Sequence, residues 1–297
     1  MRTTIDPVTF AVVKHGLDAI VEEMAYTVLR TARSEIVKDV MDFSAAICDR
    51  DGRMVAQAKT IALHLGAVPE AMSVVLEHYA DALVEGDAII LNDPYQGGMH
   101  LPDIFMFMPI FYDCQLQAFT VVICHHTDVG GRVPGSNASD STEIFQEGLR
   151  IPALKLFEGG QPNTTLISLV EANVRLPDRV LGDLKAQYAA CRTGGLELEK
   201  IFRRYGSVGA QHYFSELLDY AEHMTREEIS TWPDGTYTFE DYVDDDGLSD
   251  TPLPIRVSVA VHGDSITVDY EGSSSQVPAA LNSTKSYTNS CTYLSIR

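Results

Sequence analysis

Positive charge is what this chain has least of. Its 22 lysines and arginines stand against 42 aspartates and glutamates, a formal net charge of −20, and no basic block offsets the deficit locally. A field of that sign repels phosphate backbones and anionic lipid, which excludes nucleic acid and membrane surfaces as partners. No apolar run approaches the ~20 residues needed to span a bilayer, and the opening Met1-Arg2-Thr3-Thr4-Ile5-Asp6-Pro7 lacks the long apolar stretch of a secretory signal. A cytoplasmic location is the resulting expectation. The five cysteines (Cys48, Cys114, Cys124, Cys191 and Cys291) are odd in number, scattered and never spaced Cys-x-x-Cys. That pattern argues against a disulfide framework or a thiolate zinc site and for mostly buried, small apolar roles. Neither Gly-x-x-x-x-Gly-Lys-Ser/Thr nor Gly-x-Gly-x-x-Gly occurs, so the chain announces no phosphate cradle, and any ATP in its chemistry belongs on another chain.

What is present suffices for a sizeable core. At 297 residues and 45% hydrophobic content the chain has room for one large domain or two ordinary ones. Asp6-Pro7 is a helix start, and Phe10, Val13, Leu17, Ile20, Met24 and Val28 follow at helical spacing, which predicts a helix over 7–33. Phe43 to Cys48, the turn Asp49-Arg50-Asp51-Gly52, and Met54 to Ala58 read as a hairpin, and Pro69 to Tyr79 as a second helix. Strands are expected at 88–91, 104–112 and 116–124. The stretch 127–152, rich in Gly, Ser, Asn, Asp and Pro, reads as an ordered functional loop. Helix returns over about 165–230, where Gly194-Gly195 is read as the separator of two helices. Short strands follow at 236–239, 255–261 and 266–270, the last two joined by a turn at His262-Gly263-Asp264. The fold class expected is α+β: a long N-terminal helix, a central mostly antiparallel sheet carrying the candidate site, a helical middle section and a small β-rich C-terminal part. The corresponding divisions are 1–160, 161–232 and 233–297.

Three of the nine histidines and several carboxylates fall between Asp93 and Asp128. Imidazole nitrogens mixed with carboxylate oxygens suit a borderline divalent ion such as zinc, manganese or iron, and the lack of nearby thiolates favours an open catalytic site over a closed structural one. Gly97-Gly98 and Pro102 make 97–103 a turn in which His100 and Asp103 can converge. His125 and His126 end a strand, so their side chains point to opposite faces and only one joins such a site; spacing leaves open which. The other is then a supporting or acid/base group. His-x-x-Asp is a short, weak pattern by itself. His64 and Asp42 are lesser candidates, each more readily a packed residue.

The runs Asn92-Asp93-Pro94-Tyr95-x-Gly97-Gly98-x-His100-Leu101-Pro102-Asp103, His125-His126-x-Asp128-Val129-Gly130-Gly131 and Ile144-Phe145-Gln146-Glu147-Gly148-Leu149-Arg150-Ile151-Pro152 together resemble the hydantoinase B/oxoprolinase family. Asp6 to Phe10, Arg33-Ser34 to Ser44, His64-Leu65-Gly66 and Arg175 to Asp183 support the resemblance, which is clear over 6–205 and weaker beyond. Family members are typically longer, so a fragment, a split subunit or a shortened member is expected. The resemblance implies a metal-binding B-type subunit of an ATP-dependent cyclic-amide hydrolase. It would complete ring opening of an intermediate activated by a hydantoinase A-type ATP-binding partner, within a hetero-oligomer. Carried over by position, His100, Asp103 and His125 are the expected metal ligands, with His126 the substitute for His125. Asp128 is expected to orient a histidine or a water, and Asp93 to brace the loop or act as a base; Glu147 and Arg150 are expected as a loop ion pair. The alternatives carried are a subunit of an ATP-dependent ketone carboxylase, a non-catalytic assembly subunit, and a stand-alone metallohydrolase.

Overall fold

A computed structural model of the chain describes residues 6–79 and 82–296. Helix α1 (Pro7–Thr31) begins where the Asp6 carboxylate accepts from the Val8 and Thr9 amides, satisfying donors that every helix start leaves unpaired. Val13, Leu17, Ile20, Met24 and Val28 lie on its buried face, as their spacing predicts, while Phe10 is only partly buried. The helix stops two residues short of the predicted end. Arg33 and Ser34 turn their amides onto the buried Asp183 carboxylate, at 2.6 and 3.1 Å, and Ser34 caps the short helix α2 (Glu35–Lys38).

Strands β1 (Phe43–Asp49) and β2 (Met54–Gln57) form the expected hairpin, and helices α3 (Ala62–Leu65) and α4 (Val68–Tyr79) follow. Then come β3 (Ala88–Leu91), β4 (Asp103–Tyr112), β5 (Gln115–His125), β6 (Leu154–Glu158) and β7 (Gln161–Pro162). The seven strands pair in the order β2-β1-β5-β4-β3-β6-β7, and every pairing is antiparallel. Helices α5 (Thr164–Asn173) and α6 (Pro177–Ile229) come next. Along β4, Ile104, Met106 and Met108 pack with α1 and α6, whereas Phe105 and Phe107 pack with α4. A sheet covered on both faces needs apolar residues at odd and even positions alike, which is why β4 and β5 read as nearly continuous hydrophobic runs. Each fully buried side chain of this size contributes about 1.5–3 kcal/mol.

Gly194-Gly195 does not separate two helices. Both lie inside α6, where a Cβ on Gly194 would overlap the Met24 side chain and one on Gly195 would stand 2.7 Å from Ile110 Cδ1. The pair lets α6 lie close against α1 and β4. The break comes later, at Gly206, whose φ of 70° and ψ of 163° interrupt the helix. Of the cysteines, Cys48, Cys124 and Cys191 are buried, Cys291 is half-buried and Cys114 is exposed.

The C-terminal part holds an antiparallel three-stranded sheet in the order β10-β9-β8, from β8 (Gly235–Val243), β9 (Leu253–His262) and β10 (Ser265–Asp269). Its last hairpin turns at Gly263-Asp264, as predicted. Helix α7 (Lys285–Ile296), which the sequence pattern does not announce, returns to the first sheet's end. Ser286 Oγ donates to the Gly98 carbonyl at 2.7 Å and Ser290 Oγ to the Leu63 carbonyl. Among the described residues no helix is long and apolar enough to cross a membrane.

Candidate metal centre

After β3 the chain enters a tight turn over Pro94–Gln96, started by Asp93, whose carboxylate accepts from the Tyr95 amide at 3.0 Å. Gly97 has φ +88°, and a Cβ there would overlap the Ala71 backbone at the start of α4. Only glycine lets the turn sit so close. Asn92, fully buried, ties this turn to the distant loop. Its Nδ2 donates to the Leu101 and Leu149 carbonyls at 2.6 and 2.9 Å, and its Oδ1 accepts from the Ile151 amide at 2.6 Å. The Asp103 amide bonds back to the His100 carbonyl at 3.0 Å, which aims both side chains the same way. Asp103 opens β4 opposite His125, the last residue of β5.

Three side chains converge there. His100 Nε2 lies 3.0 Å from Asp103 Oδ1, His125 Nδ1 lies 3.1 Å from the same oxygen, and the two nitrogens are 3.2 Å apart. A second tier adjoins them: His64 Nε2 stands 3.4 Å from Asp42 Oδ1 and 3.8 Å from Asp103 Oδ2, and Asp42 Oδ2 is 3.9 Å from His125 Nδ1. The Asp103 side chain is 3% exposed and that of His100 41%, so the cluster opens through His100. Burial works to raise the Asp103 pKa, but hydrogen bonds from His100 and His125 outweigh it and hold the carboxyl well below its usual range. Burial opposes charge on His100, yet the Asp103 bond and the Asp103 and Asp42 charges raise its pKa. For His64 burial prevails over the same carboxylates, and its pKa is lowered.

The donor set fits a divalent ion. Ligand atoms bonded about 2.1 Å from one ion stand about 3.0 Å apart at right angles and about 3.4 Å apart at tetrahedral angles. The three observed spacings fall in that interval. Two imidazoles and a carboxylate with no thiolate suit zinc, manganese or iron.

The other predicted residues lie around this centre. His126 points to the opposite face, where it is fully buried; its Nε2 lies 3.0 Å from Gln187 Oε1 and its Nδ1 has no partner. Burial lowers its pKa. Asp128 takes bonds from the Arg175 amide and guanidinium, both at 2.9 Å, and from the Gly130 amide at 3.0 Å. Burial would raise the Asp128 pKa, but these bonds lower it. Asp93 pairs at 3.6 Å with Arg150, whose guanidinium lies over the Phe145 ring. The expected partner of Arg150 was Glu147. That carboxyl is instead half-buried, its pKa raised by burial against the opposing pull of His100.

Three contributors carry no signal of their own in the sequence. Asn92 sits inside the quoted motif, but its role depends on contacts 9 to 59 residues away. Ser286, on α7, bonds the carbonyl of Gly98 in the turn that carries His100, and Tyr287 follows it. Burial raises the Tyr287 pKa, and the nearby Cys291 and the Asp103 charge add to it.

The family model described as hydantoinase B/oxoprolinase matches residues 6–297. The chain is 37% identical over 293 residues to the beta chain of the caprolactamase of Pseudomonas jessenii, covering 99% of this chain and 50% of that one. A Pseudomonas sp. (strain NS671) protein provisionally named as the B component of a D-/L-hydantoinase is 35% identical over 282 residues, 92% of this chain and 48% of its own. The crystal structure of the ATP-dependent caprolactamase from Pseudomonas jessenii superposes with a TM-score of 0.92 at 36% identity, over 98% of this chain and 50% of that one. A nucleotide-free acetone carboxylase structure also gives 0.92, at 20% identity over 98% and 40%, a likeness of fold alone. The chain therefore spans about half the length of the curated relatives it matches.

Proposed function

The chain belongs to the hydantoinase B/oxoprolinase family, and from that premise we propose that it is the metal-binding, B-type part of an ATP-dependent cyclic-amide hydrolase. In this reading it completes ring opening of an intermediate activated by a hydantoinase A-type, ATP-binding partner in a hetero-oligomer. The observation that carries it is the meeting of His100, Asp103 and His125, whose ligand atoms lie within 4.8 Å of one another. The names of the caprolactamase and hydantoinase relatives support the cyclic-amide substrate class. The missing glycine-rich phosphate motifs support placing ATP on the partner.

His100, Asp103 and His125 would hold a zinc, manganese or iron ion, which when bound supplies Lewis-acid polarisation of a carbonyl or phosphoryl oxygen. Asp103 keeps a fixed negative charge at the base of the site, since two imidazoles hydrogen-bond its Oδ1. The exposed edge of His100 forms the entrance, where substrate meets the centre. Asp93 and Asp128 act as braces: Asp93 grips Arg150, and Asp128 fixes the Gly130-Gly131 turn after β5 through Arg175. His126 anchors the end of β5 to α6 through Gln187, which holds its neighbour His125 in register.

Elemental analysis of the chain purified without added metal, compared with His100→Ala and Asp103→Ala, tests the proposal. At least one equivalent of metal in the wild type and its loss in both variants is the expected result; a folded, metal-free wild type sinks the reading and favours an assembly role. ATP-dependent lactam hydrolysis with the partner present, independent of bicarbonate, separates the hydrolase from a ketone carboxylase. Turnover by the isolated chain without ATP would instead mark a stand-alone metallohydrolase.

A further inference from the structure

Glu147 is an acid without a partner. The sequence pairs it with Arg150, but Arg150 Nε turns to Asp93 Oδ2 at 3.6 Å and its guanidinium covers the Phe145 ring. Asp42, Asp103 and Asp128 likewise face an imidazole or a guanidinium. Among these carboxylates only Glu147 keeps both oxygens out of any hydrogen bond or ion pair with the described residues, although it is half-buried. A desolvated carboxylate with nothing to bond is unfavourable in the resting fold. Groups of that kind gather where a protein needs reactivity rather than stability.

The backbone, not the side chain, fixes its position. The Glu147 amide donates to the Ile144 carbonyl at 3.0 Å, the Leu149 amide to the Val129 carbonyl at 2.7 Å, and the Arg132 amide to the Gln146 carbonyl at 2.9 Å. Gly131 makes the approach possible, since a Cβ there would stand 2.4 Å from the Glu147 carbonyl oxygen. Asn92 Nδ2 then bonds the carbonyls of Leu101, next to His100, and of Leu149, two residues after Glu147. One side chain thus clasps the two loops together, and Glu147 lies beside His100, close enough for the imidazole charge to act on its carboxyl. Glu147 is not one of the converging ligands. It stands on the side of His100, the member of the triad through which the centre opens.

We propose that Glu147 is the proton carrier of the ring opening, taking protons from the attacking water and handing them to the ring nitrogen. The inference rests on the cyclic-amide reading and adds the acid–base group that reading lacks. In a ring whose carbonyl oxygen carries the activating phosphoryl group, the ring carbon is doubly bonded to nitrogen. The water oxygen bonds to that carbon and one water proton goes to Glu147. The displaced π pair, now on nitrogen, collects that proton from Glu147. The remaining carbon–nitrogen bond then breaks with its pair on nitrogen. The second water proton follows by the same carboxylate, and the water oxygen becomes the carbonyl of an acyl phosphate. Glu147 ends ionised, as it began. Burial, which raises its pKa against the pull of His100, brings the carboxyl nearer the neutral range in which such a carrier works best.

The test uses the complete enzyme with its ATP-binding partner, assayed for ATP-dependent opening of a panel of lactams and hydantoins. Glu147→Gln is expected to lower kcat about 10²–10⁴-fold, at unchanged KM, metal content and helical content by circular dichroism. Glu147→Ala is expected to recover part of that loss when formate is added, a response that a merely structural residue would not give. Activity of Glu147→Gln within about tenfold of wild type overturns the proposal. Loss of metal from the variant overturns it too, making Glu147 a support of the centre. Where Glu147→Gln fails to fold, the formate response of Glu147→Ala decides, and no response counts against the proposal. A wild-type complex that holds metal but opens no ring with ATP overturns the cyclic-amide reading itself, so the two failures are distinct.

Discussion

The two sheets of this molecule are built from the same kinds of residue and have opposite surroundings. In β4 eight of ten residues are buried, with helices packed on both faces; in β8 all nine are exposed. Phe107 is 0% exposed and Phe239 68%. The difference shows that β-propensity locates a strand without saying what will cover it. It also bears on where the candidate site lies. Asp103 and His125 occupy facing ends of β4 and β5, two long strands enclosed on both faces, so packing holds their spacing, which is what a preorganised site requires.

The contrast yields ordered expectations. The largest effect belongs to Phe107→Ala, which leaves a cavity between the sheet and α4; a loss of about 3–5 kcal/mol in denaturant-measured stability is expected. A loss below ~1 kcal/mol would mean that the α4 layer collapses around the site and that the enclosed sheet is not rigid. Asp128→Asn comes next, at about 1.5–3 kcal/mol near neutral pH, because it removes the charge that Arg175 bonds. The Asp128 pKa is lowered in the fold, so its stabilisation is full above the ordinary 3.8 and is lost as pH falls through the folded value. The gap between wild type and variant should therefore close only below about pH 3.8; a gap already closed at about pH 5 would contradict the assignment. Smallest is Phe239→Ala, expected within ~0.5 kcal/mol by thermal unfolding. A larger loss would show that the outer sheet is covered in solution.

Much of the fold is legible in the sequence wherever a local rule applies. Asp6-Pro7 and the spacing from Val13 to Val28 mark α1, and the apolar runs mark β4 and β5. The turn over 97–103 is legible because glycine and proline punctuate it, and the meeting of His100 with Asp103 follows from that turn. Strand alternation predicts opposite faces for His125 and His126, but which one faces Asp103 is decided by the β4–β5 register. Long-range effects are not legible. Gly194-Gly195 resembles a break by propensity, and only the closeness of Met24 and Ile110 explains glycine there. Helix α7 is rich in Ser, Thr, Asn and Tyr, weak helix formers, and its anchors lie across the chain. Asp42 and His64 are only lesser candidates in the sequence and stand far from Asp103 in the chain. Their importance depends on the ends of β1 and β5 lying side by side.

The bond from Ser286 to Gly98 spans 188 residues. Contacts of such sequence separation raise contact order and are among the slow ones to form. During synthesis the His100 turn leaves the ribosome long before α7 does, so the turn must spend an interval without the bond that Ser286 gives its Gly98 carbonyl. On the proposed reading, metal delivery and this docking step compete in time.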